Sequence, residues 1–256
     1  MLAAERRLLV LRLLRQDRFA SLAELTRLSG ASAATVRRDL ARLAAEGLVE
    51  RVHGGATVAA DPATPGPTPE VPLDERVGIA SEKKRRIARR AATMCADGDT
   101  IIVDGGSTTL QLVPFLRGLR LRVITNSLAI ADELSRGSAC TVVLGGGVVR
   151  PESRLVLDPF SGDPFANYSA STVFMGVYGI DESGATNTDE QLIRTERAMI
   201  GRARRLVVLA DSLKFGRRGS LWLCGFDRIS AIVTDDDIPD SWRELLAAKG
   251  VELVVA

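Results

Sequence analysis

Prolines divide this chain into two unequal parts. Five of its ten prolines stand between positions 62 and 72, mixed with Ala, Thr, Gly and Glu. Proline lacks the amide hydrogen that helices and central strands need, so this stretch predicts an extended, semi-stiff linker. We place the linker at residues 59–75, between a head at 1–58 and a body at 76–256, sizes typical of one small and one medium domain.

The two parts differ in charge. Residues 1–60 carry ten arginines and six acidic residues, a net charge of +4, and the remainder carries 24 basic and 26 acidic residues, a net charge of −2. A basic head on a slightly acidic body indicates a polyanionic partner for the head alone.

Cysteine content and hydrophobicity exclude several protein classes. Three cysteines lie far apart and the chain has one histidine, which argues against a zinc finger and a disulfide scaffold. No stretch approaches the ~20 apolar residues that span a bilayer. The apolar run near the start contains Arg12 and is followed by no signal-peptide cleavage site. We therefore expect a cytoplasmic protein with no membrane partner, metal or cofactor.

The head is predicted to fold as a winged helix-turn-helix. Periodicity predicts a first helix over about residues 3–16, with Leu9, Leu13 and their neighbours inward and Arg6, Arg7, Arg12 and Arg15 in solvent. Two further helices and a two-stranded wing over residues 48–58 follow. The predicted helix caps are Ser21 with Glu24, Gly30, Ser32 and Gly47. The second helix has one apolar face, formed by Leu22, Leu25 and Leu28.

The third helix and the wing carry groups suited to DNA. Small residues let the helix enter the major groove, Arg and Thr donate to bases and phosphates, and the wing reaches the backbone. Arg37 and Arg38 alone would be typical of a solvated face paired with Asp39 or Glu46, but the helix spacing, the wing and the positive head favour DNA. The predicted DNA-binding residues are Ser32, Ala33, Thr35, Arg37, Arg38, Arg42, Arg51 and His53.

The body alternates short Val- and Ile-rich strands with helices, which predicts a mainly parallel α/β sheet. The whole chain is thus of the α/β class, with a winged helix-turn-helix at its start. The predicted strands are 100–104, 122–125, 141–144, 172–177, 206–210, 231–234 and 251–255. The predicted helices are 82–94, 108–116, 128–135, 188–203 and 239–249.

Polar residues follow several of these strands, at the sheet edge where such folds bind ligands. The sequence Asp-Gly-Gly-Ser-Thr-Thr at 104–109 combines glycines with hydroxyl donors, as a phosphate site requires. A turn of this composition also occurs for purely structural reasons, and it matches no nucleotide-binding fingerprint. The predicted ligand-binding residues are Asp104, Gly106, Ser107, Thr108, Thr109, Thr125, Asn126, Gly145, Gly146, Arg150, Asp181 and Lys214.

Two motifs in the head resemble a known family. They are S-x-x-T-V-R-R-D-L-x-x-L from Ser32 to Leu43 and E-G-L-V-x-R-V-H-G-G-A from Glu46 to Ala56. Both resemble the amino-terminal signature of the DeoR/GlpR family of bacterial transcription regulators. The resemblance implies a repressor of a carbohydrate operon, relieved when the body binds a phosphorylated sugar as effector.

The body resembles the same family, whose carboxy-terminal domain has a fold similar to ribose-5-phosphate isomerase. The resemblance implies that Gly106, Ser107 and Thr108 hold the phosphate, and that other residues line the remaining pocket. Those other residues are Asn126, Gly146, Asp181 and Lys214. The motifs are K-x-x-I-A (84–88), D-x-G-S-T (104–108), T-N-S (125–127), L-G-G-G (144–147), G-I-D (179–181), R-A-M-I (197–200) and A-D-S-x-K-F-G (210–216).

The chain departs from the family pattern where sugar hydroxyls would be recognised. Glu196 stands where members commonly have a basic residue, and Leu192 where they often have an acid. Residues 151–168 are also unlike the commonest pattern. Thr188, Asp189 and Glu196 resemble the UlaR-like branch, which includes the L-ascorbate operon repressor.

Three functions are compatible with these features. The leading hypothesis is a sugar-phosphate-responsive repressor that binds double-stranded operator DNA as a homo-oligomer, dimer or tetramer, since one small head buries too little DNA for operon-level specificity. The second is an isomerase-like enzyme with a DNA-binding head, whose carboxylate base would be Asp104, Asp181 or Glu196. The third is a structural DNA binder, which leaves the body without a role. We predict a regulator without enzyme activity.

Overall fold

A computed structural model describes residues 6–7, 9–11, 13–14, 19–45, 49–52, 55–58, 72–160 and 162–256. The chain forms two compact units, Met1–Pro69 and Glu70–Ala256. Most of the predicted linker lies outside the described residues, but its last residues do not remain extended. Leu73 begins a helix after Pro72, because its side chain is buried and its amide donates to the carbonyl of Glu152 at 2.9 Å.

The amino-terminal unit has the predicted helices and wing, together with an extra strand. The additional β1 completes an antiparallel sheet in the order β1-β3-β2. Because β1 has only three residues, it is too short to show the alternation of apolar and polar residues by which a strand is predicted. In chain order the elements are α1 (described at 6–7, 9–11 and 13–14), β1 (Phe19–Ser21), α2 (Leu22–Ser29), α3 (Ala33–Ala45), β2 (Val49–Val52) and β3 (Gly55–Val58).

The predicted caps within the described residues are confirmed. The hydroxyl of Ser21 accepts from the amide of Glu24 at 3.1 Å, and that of Ser32 accepts from the amide of Thr35 at 3.2 Å. Gly30 ends α2 in the left-handed conformation, at a φ of 63°, which glycine adopts without steric cost. Gly47 and the wing turn at His53 lie outside the described residues.

The predicted packing of α1 and α2 is confirmed only in part. Among the described residues of α1, Val10 and Leu14 are fully buried, whereas Leu9 and Leu13, one position before them, lie half-buried. The apolar run of α1 offers leucine at nearly every position, so periodicity alone did not fix its phase. In α2 only part of the predicted apolar face is covered, because Leu28 is 40% exposed.

An ion pair joins α1 to α3. Arg6 was predicted to lie in solvent, but its Nε contacts Oδ2 of Asp39 at 2.6 Å and both side chains are largely covered. Asp39 therefore pairs with neither Arg37 nor Arg38, both of which are exposed. Because 33 positions separate the partners, no local sequence pattern could predict this ion pair.

In the carboxy-terminal unit, all seven predicted strands form one parallel sheet, which confirms the predicted α/β class. The strands of the sheet are β4 (Thr100–Val103), β5 (Arg122–Thr125), β6 (Thr141–Leu144), β9 (Ala170–Met175), β12 (Ala203–Leu209), β14 (Ala231–Thr234) and β15 (Glu252–Val255). They lie in the order β15-β14-β12-β9-β4-β5-β6.

Helices cover both faces of the sheet. Buried residues of α5, α6 and α7 pack on one face and those of α8 and α9 on the other. Along β4, Ile102 belongs to one core and its neighbours Ile101 and Val103 to the other, as the alternation of a strand requires. The helices are α4 (Leu73–Gly78), α5 (Ser81–Ala92), α6 (Val113–Leu116), α7 (Leu128–Ser135), α8 (Glu190–Gly201) and α9 (Asp240–Ala248).

Several elements of this unit differ from the predictions. The helix predicted at 108–116 is a 3₁₀ segment, Thr109–Leu112, followed by α6, whose first turn contains Pro114. Two small antiparallel sheets, β7-β8 and β10-β11-β13, were not predicted. Their strands are β7 (Val148–Arg150), β8 (Leu155–Leu157), β10 (Gly179–Asp181), β11 (Gly184–Asn187) and β13 (Leu221–Cys224). Among the described helices, none is both long and apolar enough to cross a membrane.

The strand order reverses at β4. From this interior strand the chain proceeds to β5 and β6 on one side, then returns to β9 on the other. The connections leaving β4 and β9 thus diverge, which opens a crevice beyond their carboxyl ends. In open α/β sheets, ligands bind in this crevice.

Candidate ligand site and DNA-contacting helix

The loop after β4 occupies this crevice and is shaped by close packing. A Cβ atom at Gly105 would stand 2.0 Å from Cδ2 of Leu155 and 3.1 Å from Cβ of Ser127. A side chain at position 105 would therefore require Leu155 to move. The amide of Gly105 donates to Oδ1 of Asn126 at 3.0 Å, so the ends of β4 and β5 are tied together.

The hydroxyl groups predicted to bind phosphate have different surroundings. The Oγ atom of Ser107 accepts a hydrogen bond from Nζ of Lys84 at 3.0 Å. The next residue, Thr108, is buried. In contrast, Thr109 donates to the carbonyl of Gly106 at 3.0 Å, and the hydroxyl of Thr125 accepts an amide hydrogen bond within its own turn. Thr109 and Thr125 thus brace the loops, while Ser107 lies beside a cation.

Lys84 and Lys214 lie in a group of cations at this edge. Burial, opposed by the charge of Asp211 and assisted by that of Arg76, lowers the pKa of Lys84 to about 8. Burial lowers the pKa of Lys214 to about 8 as well; the charges of Arg217, Lys84 and Arg76 act in the same direction, and that of Asp211 opposes them. Each of these cations makes it harder for the others to stay charged. A bound anion would stabilise their charged forms, so the group is suited to binding an anion.

Two buried carboxyl groups, Asp104 at the start of this loop and Glu196 on α8, interact electrostatically. Burial raises the pKa of Asp104 to about 6. Burial, followed by the negative charge of Asp104, raises the pKa of Glu196 well above its ordinary value. Glu196 accepts a hydrogen bond from Nδ2 of Asn187 at 2.8 Å, which positions one of its two oxygens.

The remaining predicted ligand residues make other contacts. Arg150 is paired with Asp189 at 2.8 Å, so its charge is partly neutralised. Asp181 accepts from the amide of Ser183 at 2.8 Å within the β10–β11 turn and pairs with Arg218, not with the 104–109 loop. Two glycines follow β6: Gly145, against the ring of Phe165, and Gly146, which is exposed.

A surface depression of about 410 Å³ lies elsewhere. It is at the amino ends of β4, β5 and β6, opposite the edge that binds ligands in this architecture. The candidate site is therefore located from its buried polar groups. The depression is lined by Gly98, Thr100, Arg120, Leu121, Arg122, Ala139 and Thr141.

In the amino-terminal unit, α3 presents a basic exposed side. Arg37, Arg38 and Arg42 are exposed, whereas Val36 and Leu40 are buried in the core. The first turn of α3 contains no acidic residue, which leaves the positive end of the helix available to a phosphate. Of the predicted wing contacts, the side chain of Arg51 and the whole of His53 lie outside the described residues.

Comparison with known proteins identifies the family. The DeoR C terminal sensor domain matches residues 79–236, and the DeoR-like helix-turn-helix domain matches residues 6–61. The chain belongs to the DeoR family. It is a DNA-binding transcriptional regulator, which confirms the resemblance inferred from the R-R-D-L and D-x-G-S-T motifs.

Individual relatives of this DeoR-family chain are repressors. It is 30% identical to the putative aga operon transcriptional repressor of Escherichia coli O157:H7, over 98% of this chain and 93% of that protein. It is 29% identical to the glycerol-3-phosphate regulon repressor of Escherichia coli strain K12, over 95% of each chain. Among solved structures, ribose 5 phosphate isomerase A from Neisseria gonorrhoeae is 15% identical over 53% of each chain, with a TM-score of 0.37.

Sequence reasoning missed several residues that the fold brings to the site. Lys84 stood in a recognised motif but was assigned no role, and Arg76, Arg217 and Asn187 were not singled out. One signal was present for Lys84. It shares the face of α5 with Ile87, three positions on, and that face is buried, so a lysine there is unusual enough to indicate a function.

Proposed function

We propose that the protein is a repressor of a carbohydrate-catabolism operon and that a phosphorylated sugar releases it from its operator. The observation that carries the effector assignment is the Lys84–Ser107 contact within a group of cations at the crevice beside β4. The name of one relative concerns a phosphorylated polyol, glycerol 3-phosphate, and supports the same chemical class.

The phosphate would bind where the desolvated cations converge. Lys84 and Lys214 are covered enough to lose part of their hydration, and a dianion compensates that loss through charge-assisted hydrogen bonds. Ser107 and Thr108 would donate hydroxyl hydrogens to the same phosphate. Arg76 and Arg217 would add positive potential without direct contact.

The DNA would bind along α3. Its exposed arginines, Arg37, Arg38 and Arg42, would reach base edges and phosphates while Ser32 and Thr35 hold the helix start.

A single head covers too little DNA for specific recognition, so two or more copies would bind a repeated operator. The body would hold the copies together, and effector binding would alter head spacing. A coupling of ~1–3 kcal/mol between the two sites is enough for such a switch.

The effector half is tested by fluorescence anisotropy on DNA from upstream of the protein's own operon. The protein is titrated at one fixed, moderate salt concentration, because phosphate contacts make affinity strongly salt-dependent. Pentose, hexose and acidic sugar phosphates are then added in turn. A shift of the binding curve by one compound is expected. If every compound leaves the curve unchanged, the proposal of a sugar-phosphate effector is rejected.

Substituting Arg37→Ala or Arg38→Ala is expected to weaken specific operator binding by ~1–3 kcal/mol where the side chain contacts a base. Both side chains are exposed, so the thermal midpoint of the protein should not change. Competition between operator and unrelated DNA in the same anisotropy assay measures the effect.

Arg27→Ala is the matched control, since Arg27 is also an exposed arginine of the same unit but lies on α2. It should alter affinity for operator and unrelated DNA alike. Equal losses of specificity in the Arg27 and Arg38 variants would contradict the assignment of α3 as the reading helix.

An isomerase activity is the second candidate, favoured by one observation. Asp104 and Glu196 are buried carboxyl groups with raised pKa values, a property that general bases share. The test is turnover of aldose phosphates to ketose phosphates by the purified protein. We expect none, and turnover that Glu196→Gln abolishes would establish the enzyme.

A further inference from the structure

Exposed apolar side chains of the larger unit concentrate around α8. Among the described residues, four large apolar side chains are more than half exposed, and three of these are Val148 (56%), Phe160 (80%) and Trp222 (53%). Trp222 lies on β13, which packs against α8. Val148 pairs with β8 and Phe160 follows it, and β8 contacts α8 as well. Soluble monomers rarely expose large apolar patches, so this concentration indicates an interaction surface.

The two aromatic side chains lie next to exposed arginines of α8. Phe160 and Arg194 line the same surface depression, of about 200 Å³. The guanidinium group of Arg197 lies over the ring of Trp222, with its central carbon 5.7 Å from the ring centroid. Arg194 and Arg197 are three positions apart, and are therefore neighbours on the exposed face of the helix. Aromatic residues and arginine are enriched where proteins bind one another.

Strand β7 extends this surface at the start of α8. Within the described part of the chain, the outer edge of β7 has no partner strand, because β7 and β8 form a sheet of two. Val148 and Val149 are both exposed. Since consecutive side chains of a strand point to opposite faces, neither face of β7 is covered. The next residue, Arg150, pairs with Asp189, which caps α8, so the edge strand and the helix adjoin.

The charges on this surface are of both signs. Glu190 and Arg194 are exposed one turn apart on α8, a spacing at which an acid and a base commonly pair. Their side chains make no ion pair or hydrogen bond with any residue that the structure describes. Each is therefore available to an opposite charge on a partner, and the surface carries both halves of that ion pair.

We propose that a second copy of this chain docks here across a twofold axis, so that Glu190 of each copy meets Arg194 of the other. In a twofold interface the same patch faces itself and every contact occurs twice. A patch that holds both charges meets this condition, whereas a patch of one sign would repel its copy. The inference rests on the proposed function, in which the body holds the copies together, and it names the surface responsible. This α8 surface consists of Val148, Val149, Phe160, Glu190, Arg194 and Trp222.

Sedimentation velocity of the full chain without DNA tests this inference. The wild type is expected to have at least twice the 27.4 kDa mass of one chain. Arg194→Glu and Glu190→Arg are each expected to halve the wild-type mass, because like charges then meet twice across the axis. Arg85→Glu is the matched control, since Arg85 is an exposed arginine of α5. The same change of charge there should leave the mass unchanged.

An equimolar mixture of the Arg194→Glu and Glu190→Arg chains is expected to recover the wild-type mass. One chain then presents two acids and the other two bases, so an acid faces a base at both contacts. Chains that had failed to fold would not recover on mixing. Phe160→Ala changes no charge and is expected to raise the dissociation constant about tenfold or more, since aromatic anchors carry much of the affinity of such interfaces.

The possible failures are distinguishable. If the wild type assembles and both charge variants keep its mass, the inference is overturned and the proposed function stands, with the copies held by another surface. Charge variants that dissociate but do not recover on mixing overturn the pairing of Glu190 with Arg194. A wild type with the mass of one chain overturns the inference together with assembly by the body, and leaves the α8 surface to a different protein. The effector and operator parts of the proposed function are decided separately, by the anisotropy titration.

Discussion

The double variant Ser107→Ala with Thr108→Ala is expected to bind operator DNA as the wild type does and to remain bound when the effector is added. Both hydroxyls belong to the loop after β4, and Ser107 accepts from Lys84 at 3.0 Å. Hydrogen bonds to a charged group contribute about 1.5–3 kcal/mol each, so loss of two should weaken effector binding roughly a hundredfold or more. Anisotropy with increasing effector concentration measures both quantities.

A double variant elsewhere in the same unit controls for loss of hydroxyls. Thr93 and Ser135 are exposed, and each donates to a backbone carbonyl three residues earlier. Thr93→Ala with Ser135→Ala should respond to effector normally. If release from DNA persists in the Ser107 and Thr108 variant, the phosphate binds elsewhere.

Gly105→Ala is expected to disrupt the ligand site and to destabilise the carboxy-terminal unit. The added methyl group would overlap Cδ2 of Leu155 at 2.0 Å and press on Ser127, so the buried Leu155 side chain, β8 or the loop must move. Overpacking of this kind costs about 1–3 kcal/mol, sometimes more. The movement would also break the hydrogen bond between Gly105 and Asn126. Thermal unfolding followed by circular dichroism should show the lower midpoint, and calorimetry the loss of phosphate binding.

Gly118→Ala provides the comparison, because a Cβ atom there meets no other atom within 4 Å. Its midpoint should equal that of the wild type within a degree or two or rise slightly, since alanine restricts the unfolded chain. Equal midpoints for the Gly105 and Gly118 variants would show that the loop accommodates a side chain, contrary to the packing around Leu155.

The sheet of the larger unit could be predicted because its signal is local. Buried parallel strands are continuous apolar runs, such as Ile101 to Val103, and all seven were recognised on that basis. Helix caps such as Ser21 and Gly30 are equally local, since the residue that forms the cap is the one that the motif names. The phase of α1 was not predictable, because Leu9, Val10, Leu13 and Leu14 offer two apolar faces.

The site was only partly predictable because its parts meet through the fold. The loop at 104–109 was found from its own composition. Lys84 reaches it from α5, 23 positions earlier, and Glu196 comes from α8, well after β9. The sequence analysis noted both residues, Lys84 as part of a motif and Glu196 as a departure from the family pattern. Their proximity to Asp104 and Ser107 depends on the order of the strands in the sheet, which cannot be deduced from a single sequence.

The strand order also bears on how the protein is made. The first strand of the sheet to leave the ribosome, β4, is an interior strand, and each later strand pairs with one already synthesised. β5 and β6 extend one edge, and β9, β12, β14 and β15 then extend the other in turn. No strand has to be inserted between two earlier ones, so the sheet can grow during translation by addition at its edges. Domains form amino terminus first during synthesis, and this strand order is compatible with the same vectorial order inside a domain.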